Sequence, residues 1–304
     1  MDRWQAMQVF VKVAETGGFA EAARRLHMSP PAVTRAVAAL EEAIGARLLA
    51  RTTRSVRLTE SGRHYLDDCH RILADLAEAE AAAAGAYTTP TGMLVVTAPV
   101  LFGQLHVRPI VMDFLKLHPA LTAQTLFLDR IANLVEEGID VAVRIGRLPD
   151  SDLNAIRVGA VSRVVCASPA YLAAHGEPRR PEELAGHNVV VTANAWPSPE
   201  WRFGREQKTV VAVRPRLICN LNEGAIAAAL DGWGLARVLS YQVAAAIDEG
   251  RLRIVLSDFE PEPLPVHVVH AGGRSPSAKV RAFVDFAAER LRRNALFGGR
   301  REPV

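Results

Sequence analysis

Seven side chains between positions 29 and 57 have the types and spacing to grip a nucleic acid: Ser29, Pro31, Thr34, Arg35, Arg51, Arg54 and Arg57. Thr34 and Arg35 stand near the start of a helical pattern, "SPPAVTRAVAAL", where side chains reach base edges or phosphates in a DNA major groove. Pro31 and Ala38 continue the same face with little bulk, so a duplex can come close. Ser29 is a good N-cap, and proline is tolerated in a first turn. The expected helix end also offers free N–H groups and a positive dipole to a phosphate. Arg51, Arg54 and Arg57 fall with Arg47 in an acid-free stretch, "ARLLARTTRSVRL". Each phosphate neutralised there steepens the salt dependence of binding, and an arginine of such a stretch can enter a minor groove.

Other chemistries find no constellation. No G-x-S-x-G, H-E-x-x-H or P-loop pattern occurs, and "GWGLAR" (232–237) follows a helix and enters a strand, the wrong order for a dinucleotide fingerprint. His267 and His270 point to opposite faces of a strand-like run, and His64 and His70 are six apart on a helix. No catalytic residue, metal site or cofactor is expected. Cys69, Cys166 and Cys219 form no CxxC pair and read as reduced, buried thiols, with a redox switch between Cys166 and Cys219 as the alternative.

The elements that position the first group are three short helices and a hairpin. Phe10, Val13 and Ala14 share one helical face, which Gly17-Gly18 ends. Phe19, Ala22, Ala23 and Leu26 repeat at i, i+3, i+4, i+7, and Val33, Val37, Leu40 and Ile44 bury the third helix. "RLLARTTRSVRLT" then alternates as two strands around a Thr-Arg-Ser turn. From Glu60 to Ala86 no proline interrupts, and Tyr65, Cys69, Ile72, Leu76, Ala79 and Ala83 follow a heptad seam. The seam packs either on a second copy, which a two-half-site DNA binder needs, or on the chain's own body. "AYTTPTG" (86–92) ends that helix.

The order A-A-x-x-L, S-x-x-A-V-[ST]-R, L-E-x-x-[IL]-G, L-L-x-R-T-x-R and L-T-x-x-G in residues 19–62 resembles the winged helix-turn-helix of LysR-type transcriptional regulators. Many of that family have Gln where this chain has Pro30, which lacks a side-chain donor. The resemblance therefore implies readout through Pro31, Thr34, Arg35 and the wing. It also implies that residues 60–87 form a dimerisation linker helix.

Beyond Met93, strand-like and helical patterns alternate, suggesting βαβ units, a mainly parallel sheet and a helix at "ANLVEEG". A late return, "PVHVVHA", suggests two lobes joined by two crossovers. Ligands bind such folds outside the carboxyl ends of strands. That places Ala98, Pro99, Val100 and Leu101, then Arg144 and Gly146, then Asn222 and Glu223, at a cleft. Arg144 either holds a carboxylate through two parallel bonds or forms a structural ion pair within its lobe. "DVAVRIGRLPDSDL", "VCASPAYLAAHG" and "PEELAGHNVV" are similar to the effector-binding domain of the same family, which extends the resemblance over nearly the whole chain.

The expected architecture is a mainly α winged helix-turn-helix (1–59), a linker helix (60–87) and an α/β effector-binding domain (88–304). The last has two Rossmann-like lobes of periplasmic-binding-protein type, lobe I at about 92–162 and 268–293 and lobe II at about 163–267. The chain's 304 residues suffice for these cores, 49% apolar and 23% charged is an ordinary globular profile, and a net charge of +3 is too weak to identify a partner. No apolar run reaches the ~18 residues of a membrane span, and "MDRWQAMQVF" lacks a signal-peptide pattern, so a cytoplasmic protein is expected. Arginine outnumbers lysine eight to one, which suggests a GC-rich bacterial genome. The resemblance implies operator DNA, a small-molecule effector, a second copy in a homodimer or homotetramer, and RNA polymerase as partners. The alternatives are an α/β metabolic enzyme with an accessory DNA-binding domain, or a regulator without an effector.

Overall fold

Asp2 accepts the backbone N–H of Trp4 and starts α1 (Arg3–Thr16), which Gly17 ends in the left-handed conformation at φ 68°. α2 (Phe19–Arg25) and α3 (Pro30–Ile44) follow, then the strands β1 (Leu49–Arg51) and β2 (Val56–Leu58), then the long helix α4 (Glu60–Ala83). The structure, a computed structural model, describes residues 2–51, 56–83, 89–149, 153–192, 200–271 and 276–297. Within these it describes no side chain for residues 51, 71, 74, 75, 78, 79 and 81–83. Two compact units divide between Met93 and Leu94.

The first unit closes around Val9, Phe10, Val13, Ala22, Ala23, Val33, Val37, Leu40, Leu48 and Leu49, the apolar faces that the 3.6-residue period marks out. The start of α4 joins this core. Cys69 is fully buried in it, and the Tyr65 ring lies 5.7 Å from that of Phe10. Tyr65 and Cys69 therefore do not lie on a seam facing a partner, as the heptad spacing suggested. α1 takes up that part of the stripe, and burial pushes the Cys69 thiol up to about 11. Further along, Ile72 and Leu76 stay 41% and 37% exposed.

In the second unit, lobe I builds a five-stranded sheet from β3 (Gly92–Ala98), β4 (Leu121–Phe127), β5 (Val141–Ile145), β6 (Leu153–Val161) and, at the far end, the returning strand described below. Between β3 and β4 run α5 (Val100–Phe102), a π-helical turn (Gly103–Val107) and α6 (Arg108–Leu117). Lobe II contains β7 (Arg163–Ala167), α7 (Pro169–His175), β8 (Val189–Thr192), the hairpin β9 (Glu200–Phe203) and β10 (Thr209–Ala212), and β11 (Pro215–Cys219). It continues with α8 (Asn222–Leu230), β12 (Leu235–Leu239), α9 (Ser240–Asp248) and β13 (Arg253–Val255). The chain returns through β14 (Leu264–Ala271) and α10 (Ala278–Arg292). The strand orders are β4-β3-β5-β14-β6 and β11-β8-β12-β7-β13.

Both sheets are mixed rather than mainly parallel. β14 runs antiparallel to β5 and β6, and β7 antiparallel to β12 and β13, because these strands carry the chain into and out of each lobe rather than closing a βαβ crossover. β14 starts at Leu264 inside the lobe I sheet, so the return precedes the expected 268. At "ANLVEEG" the chain makes turns and no helix. The Asn133 side chain accepts the N–H of Val135 and Glu136, and Glu137 is held by Arg130 at 2.6 Å, so side chains replace the helical ladder. At the first crossover the backbone N–H of Ser240 donates to the Ser162 carbonyl (2.8 Å), and Ser162 N–H donates to the Ser240 hydroxyl (3.1 Å).

Cys166 and Cys219 sit on β7 and β11, three strand spacings apart, about 14 Å at the usual inter-strand distance. A disulfide needs Cα atoms within about 7 Å, so the redox-switch alternative is excluded in this arrangement. Burial pushes the Cys166 thiol up to about 12.

Candidate nucleic-acid interface and ligand cleft

α3 turns Val33, Ala36, Val37 and Leu40 inward and leaves Pro31, Arg35, Ala38 and Ala39 exposed. Ser29 takes the N-cap position with extended backbone, but its side chain makes no capping bond. Thr34 is half-buried and its hydroxyl donates back to the Pro30 carbonyl at 3.1 Å. The helix end differs from expectation in one respect. Pro30 and Pro31 have no N–H, and the N–H groups of Ala32 and Val33 both donate to the Ser29 carbonyl at 2.9 and 3.2 Å. Residues 30–33 thus offer a phosphate no free backbone donor, and contact along them falls to side chains.

β1 and β2 pair antiparallel, with Ala50 opposite Arg57 and Arg51 opposite Val56. Arg57 is exposed on the outer strand. Arg54 lies outside the described residues, as does the side chain of Arg51. What fixes this hairpin against α3 was not singled out from sequence. One Glu41 carboxylate oxygen, near the end of α3, accepts the N–H groups of Leu48 (2.8 Å) and Leu49 (3.0 Å). On the far side, the Thr59 hydroxyl donates to the Arg47 carbonyl (2.7 Å) and caps α4 by accepting Gly62 N–H (2.9 Å). Gly62 is required there, because a Cβ would fall on the Leu48 carbonyl. The motifs L-E-x-x-[IL]-G and L-T-x-x-G carried this signal: each places a polar side chain where a turn must be tied.

The cleft candidates divide. Ala98 is 2% exposed and belongs to the lobe I core, so its side chain is not a lining group. Pro99 and Val100 are half-buried at the start of α5, where Val100 N–H donates to an Asp129 carboxylate oxygen (3.0 Å), and Leu101 packs on the core. Arg144 donates to the Ala132 carbonyl at 2.8 Å and stands opposite His267. The structural ion pair is not formed among the described residues; Arg144 instead ties its own lobe's loop. Gly146 has φ 117° and its N–H donates to the Pro265 carbonyl (2.8 Å), a backbone role. Asn222 and Glu223 open α8 on lobe II. Glu223 Oε2 and the hydroxyl of Thr192, at the carboxyl end of β8, are buried without a hydrogen-bond partner among the described residues. Thr192 was missed because a strand-end threonine has no sequence signature. Asp129 of lobe I and Glu223 of lobe II both act on Tyr241, whose hydroxyl is raised chiefly by burial and further by these two carboxylates. Val100, by its tie to Asp129, and Glu223 are thus related through the two carboxylates that both raise Tyr241.

The model of the LysR substrate binding domain matches residues 88–292, and that of the bacterial regulatory helix-turn-helix protein, lysR family, matches residues 4–63. The chain belongs to the LysR family of bacterial transcriptional regulators. It is a DNA-binding transcriptional regulator with an effector-binding domain rather than an enzyme. The structure of CrgA, a LysR-type regulator from Neisseria meningitidis, is 32% identical and covers 94% of this chain and 98% of that one, with a TM-score of 0.61. A transcriptional repressor of Pseudomonas aeruginosa is 32% identical over 97% of the regulator and 94% of the relative. AaeR of Escherichia coli, named as an activator, is 30% identical over 94% and 93%. Relatives of similar identity thus carry opposite signs of regulation. No helix among the described residues is long and apolar enough to cross a membrane.

Proposed function

We propose that the regulator lays α3 in a major groove of its operator. Arg35, Thr34, Pro31 and Ser29 then face the duplex, and the wing, with Arg51, Arg54 and Arg57, follows the backbone. The observation that carries this reading is the exposed, low-bulk face of α3 around Arg35, held at a fixed angle to the hairpin by Glu41. Two copies bind two half-sites, and Ile72 and Leu76 are the exposed apolar residues that fit a dimer seam. Ala79 and Ala83 extend that seam in sequence, and their side chains lie outside the described ones. The assembly is a homodimer or homotetramer, acts in the cytoplasm where its DNA is, and contacts RNA polymerase when bound upstream of a promoter.

The effector occupies the cleft at Pro99, Val100, Leu101, Asn222 and Glu223, with Thr192 added. The unpaired oxygens of Glu223 and Thr192 favour a small molecule that carries at least one hydrogen-bond donor. Its binding shifts the oligomer by its differential affinity for two arrangements. Footprinting of DNA upstream of the regulator's own gene across a salt series tests the first part. Protection of two half-sites that weakens steeply with salt, and is lost in Arg35→Ala while the fold is retained, is the expected result. Equal, weak binding of Arg35→Ala and the parent to operator and unrelated DNA refutes the docking.

A further inference from the structure

Arg237 and Arg163 lie on one face of the lobe II sheet. The register sets Arg237 opposite Val165 and Leu239 opposite Arg163, so the two arginines are diagonal neighbours across β12 and β7. Arg237 extends beneath the β9–β10 hairpin. Its guanidinium carbon lies 5.5 Å from the centre of the Trp201 ring and 4.7 Å from that of Phe203, and one terminal nitrogen donates to the Arg202 carbonyl. Its Nε is buried and donates to no described residue. No described carboxylate forms an ion pair with either guanidinium; of the two acids of that hairpin, Glu200 pairs with Arg202 and Glu206 with Lys208. Arg163 stands at the rim, open to solvent.

Two like charges side by side, one lying over two aromatic rings and short of an acceptor, are costly to keep unless an anion joins them. We propose that Arg163 and Arg237 form a binding site for the oxyanion group, phosphoryl or carboxylate, of a small molecule, separate from the residues assigned to the effector cleft. The planar guanidinium fork suits such a group through paired N–H donors. Burial lowers the Arg237 pKa to about 10, and the neighbouring charge of Arg163 adds to that shift. Ser162, the residue before Arg163, carries the crossover bonds to Ser240, so an anion here sits beside the hinge between the lobes.

The test is thermal unfolding of the full chain in sodium phosphate, sodium acetate and sodium chloride at matched ionic strength. Phosphate, acetate or both raise Tm over chloride by roughly 3–5 °C at ten times the dissociation constant, and the more effective salt identifies the group. Arg163→Gln and Arg237→Met, the latter keeping bulk against Trp201 and Phe203, lose that rise, while Arg163→Gln in chloride is at least as stable as the parent. Arg35→Ala keeps the rise, which separates this site from the DNA-binding face. No anion-specific rise in the parent, or a rise that survives in both Arg163→Gln and Arg237→Met, overturns the proposal.

Discussion

Replacing Glu41 with Ala removes the acceptor for two backbone donors at once. Leu48 and Leu49 are each 1% exposed, so their N–H groups have little access to water once the carboxylate is gone. A hydrogen bond to a charged group contributes about 1.5–3 kcal/mol, and an orphaned buried donor costs a similar amount. The site is only part-buried, so about 2–4 kcal/mol is expected for the pair. In a unit of this size that lowers the Tm of the N-terminal transition by on the order of 10 °C. Glu41→Gln keeps an oxygen in the same place and is expected to cost only about 1 kcal/mol, the difference between charged and neutral acceptors. Calorimetry of both variants, with operator binding measured below the transition, reads stability and geometry together. Operator affinity falls in Glu41→Ala even where the protein remains folded, because the hairpin is no longer fixed against α3. Equal stability and affinity in Glu41→Ala and the parent would refute the tie. Equal losses in the Gln and Ala variants would show that the accepting oxygen is not the cause.

His106 is half-buried beside Phe102, Tyr241 and Phe297, and burial pulls its pKa from 6.5 to about 4. The unfolded state therefore binds the proton first as pH falls, so this contribution is complete above pH 6.5 and lost down to about pH 4. It is of order 2 kcal/mol, and His106→Phe flattens the urea-stability profile over that window. Gly62→Ala drives a methyl group into the Leu48 carbonyl and destabilises the N-terminal unit by about 1–3 kcal/mol in chemical denaturation, whereas Gly45→Ala, with open space around its Cβ, has only its positive φ to oppose it. Ile72→Asp with Leu76→Asp shifts sedimentation toward smaller species without lowering the Tm of the N-terminal unit, and an unchanged assembly excludes these two residues from the seam.

The sequence alone determined the elements near the DNA-binding face, because helical period is a local property. The spacing of Val33, Val37, Leu40 and Ile44 fixes which side of α3 is buried, and the exposed side follows without further information. The alternation around Arg51 to Arg57 likewise marked a hairpin. It also held, unread, the fact that Pro30 and Pro31 have no N–H to offer a phosphate. Only the tertiary structure decided the rest. Periodicity marks a stripe but not what covers it, so Tyr65 and Cys69 went to the core beneath α1 while Ile72 and Leu76 remained outside. Strand patterns do not encode direction, so mixed sheets were not legible, and Arg144 found a carbonyl in its own lobe rather than an acidic partner there. Thr192, Glu223 and the Arg163–Arg237 pair became visible only when strands distant in sequence lay side by side, because an unpaired polar group is defined by its neighbours in space.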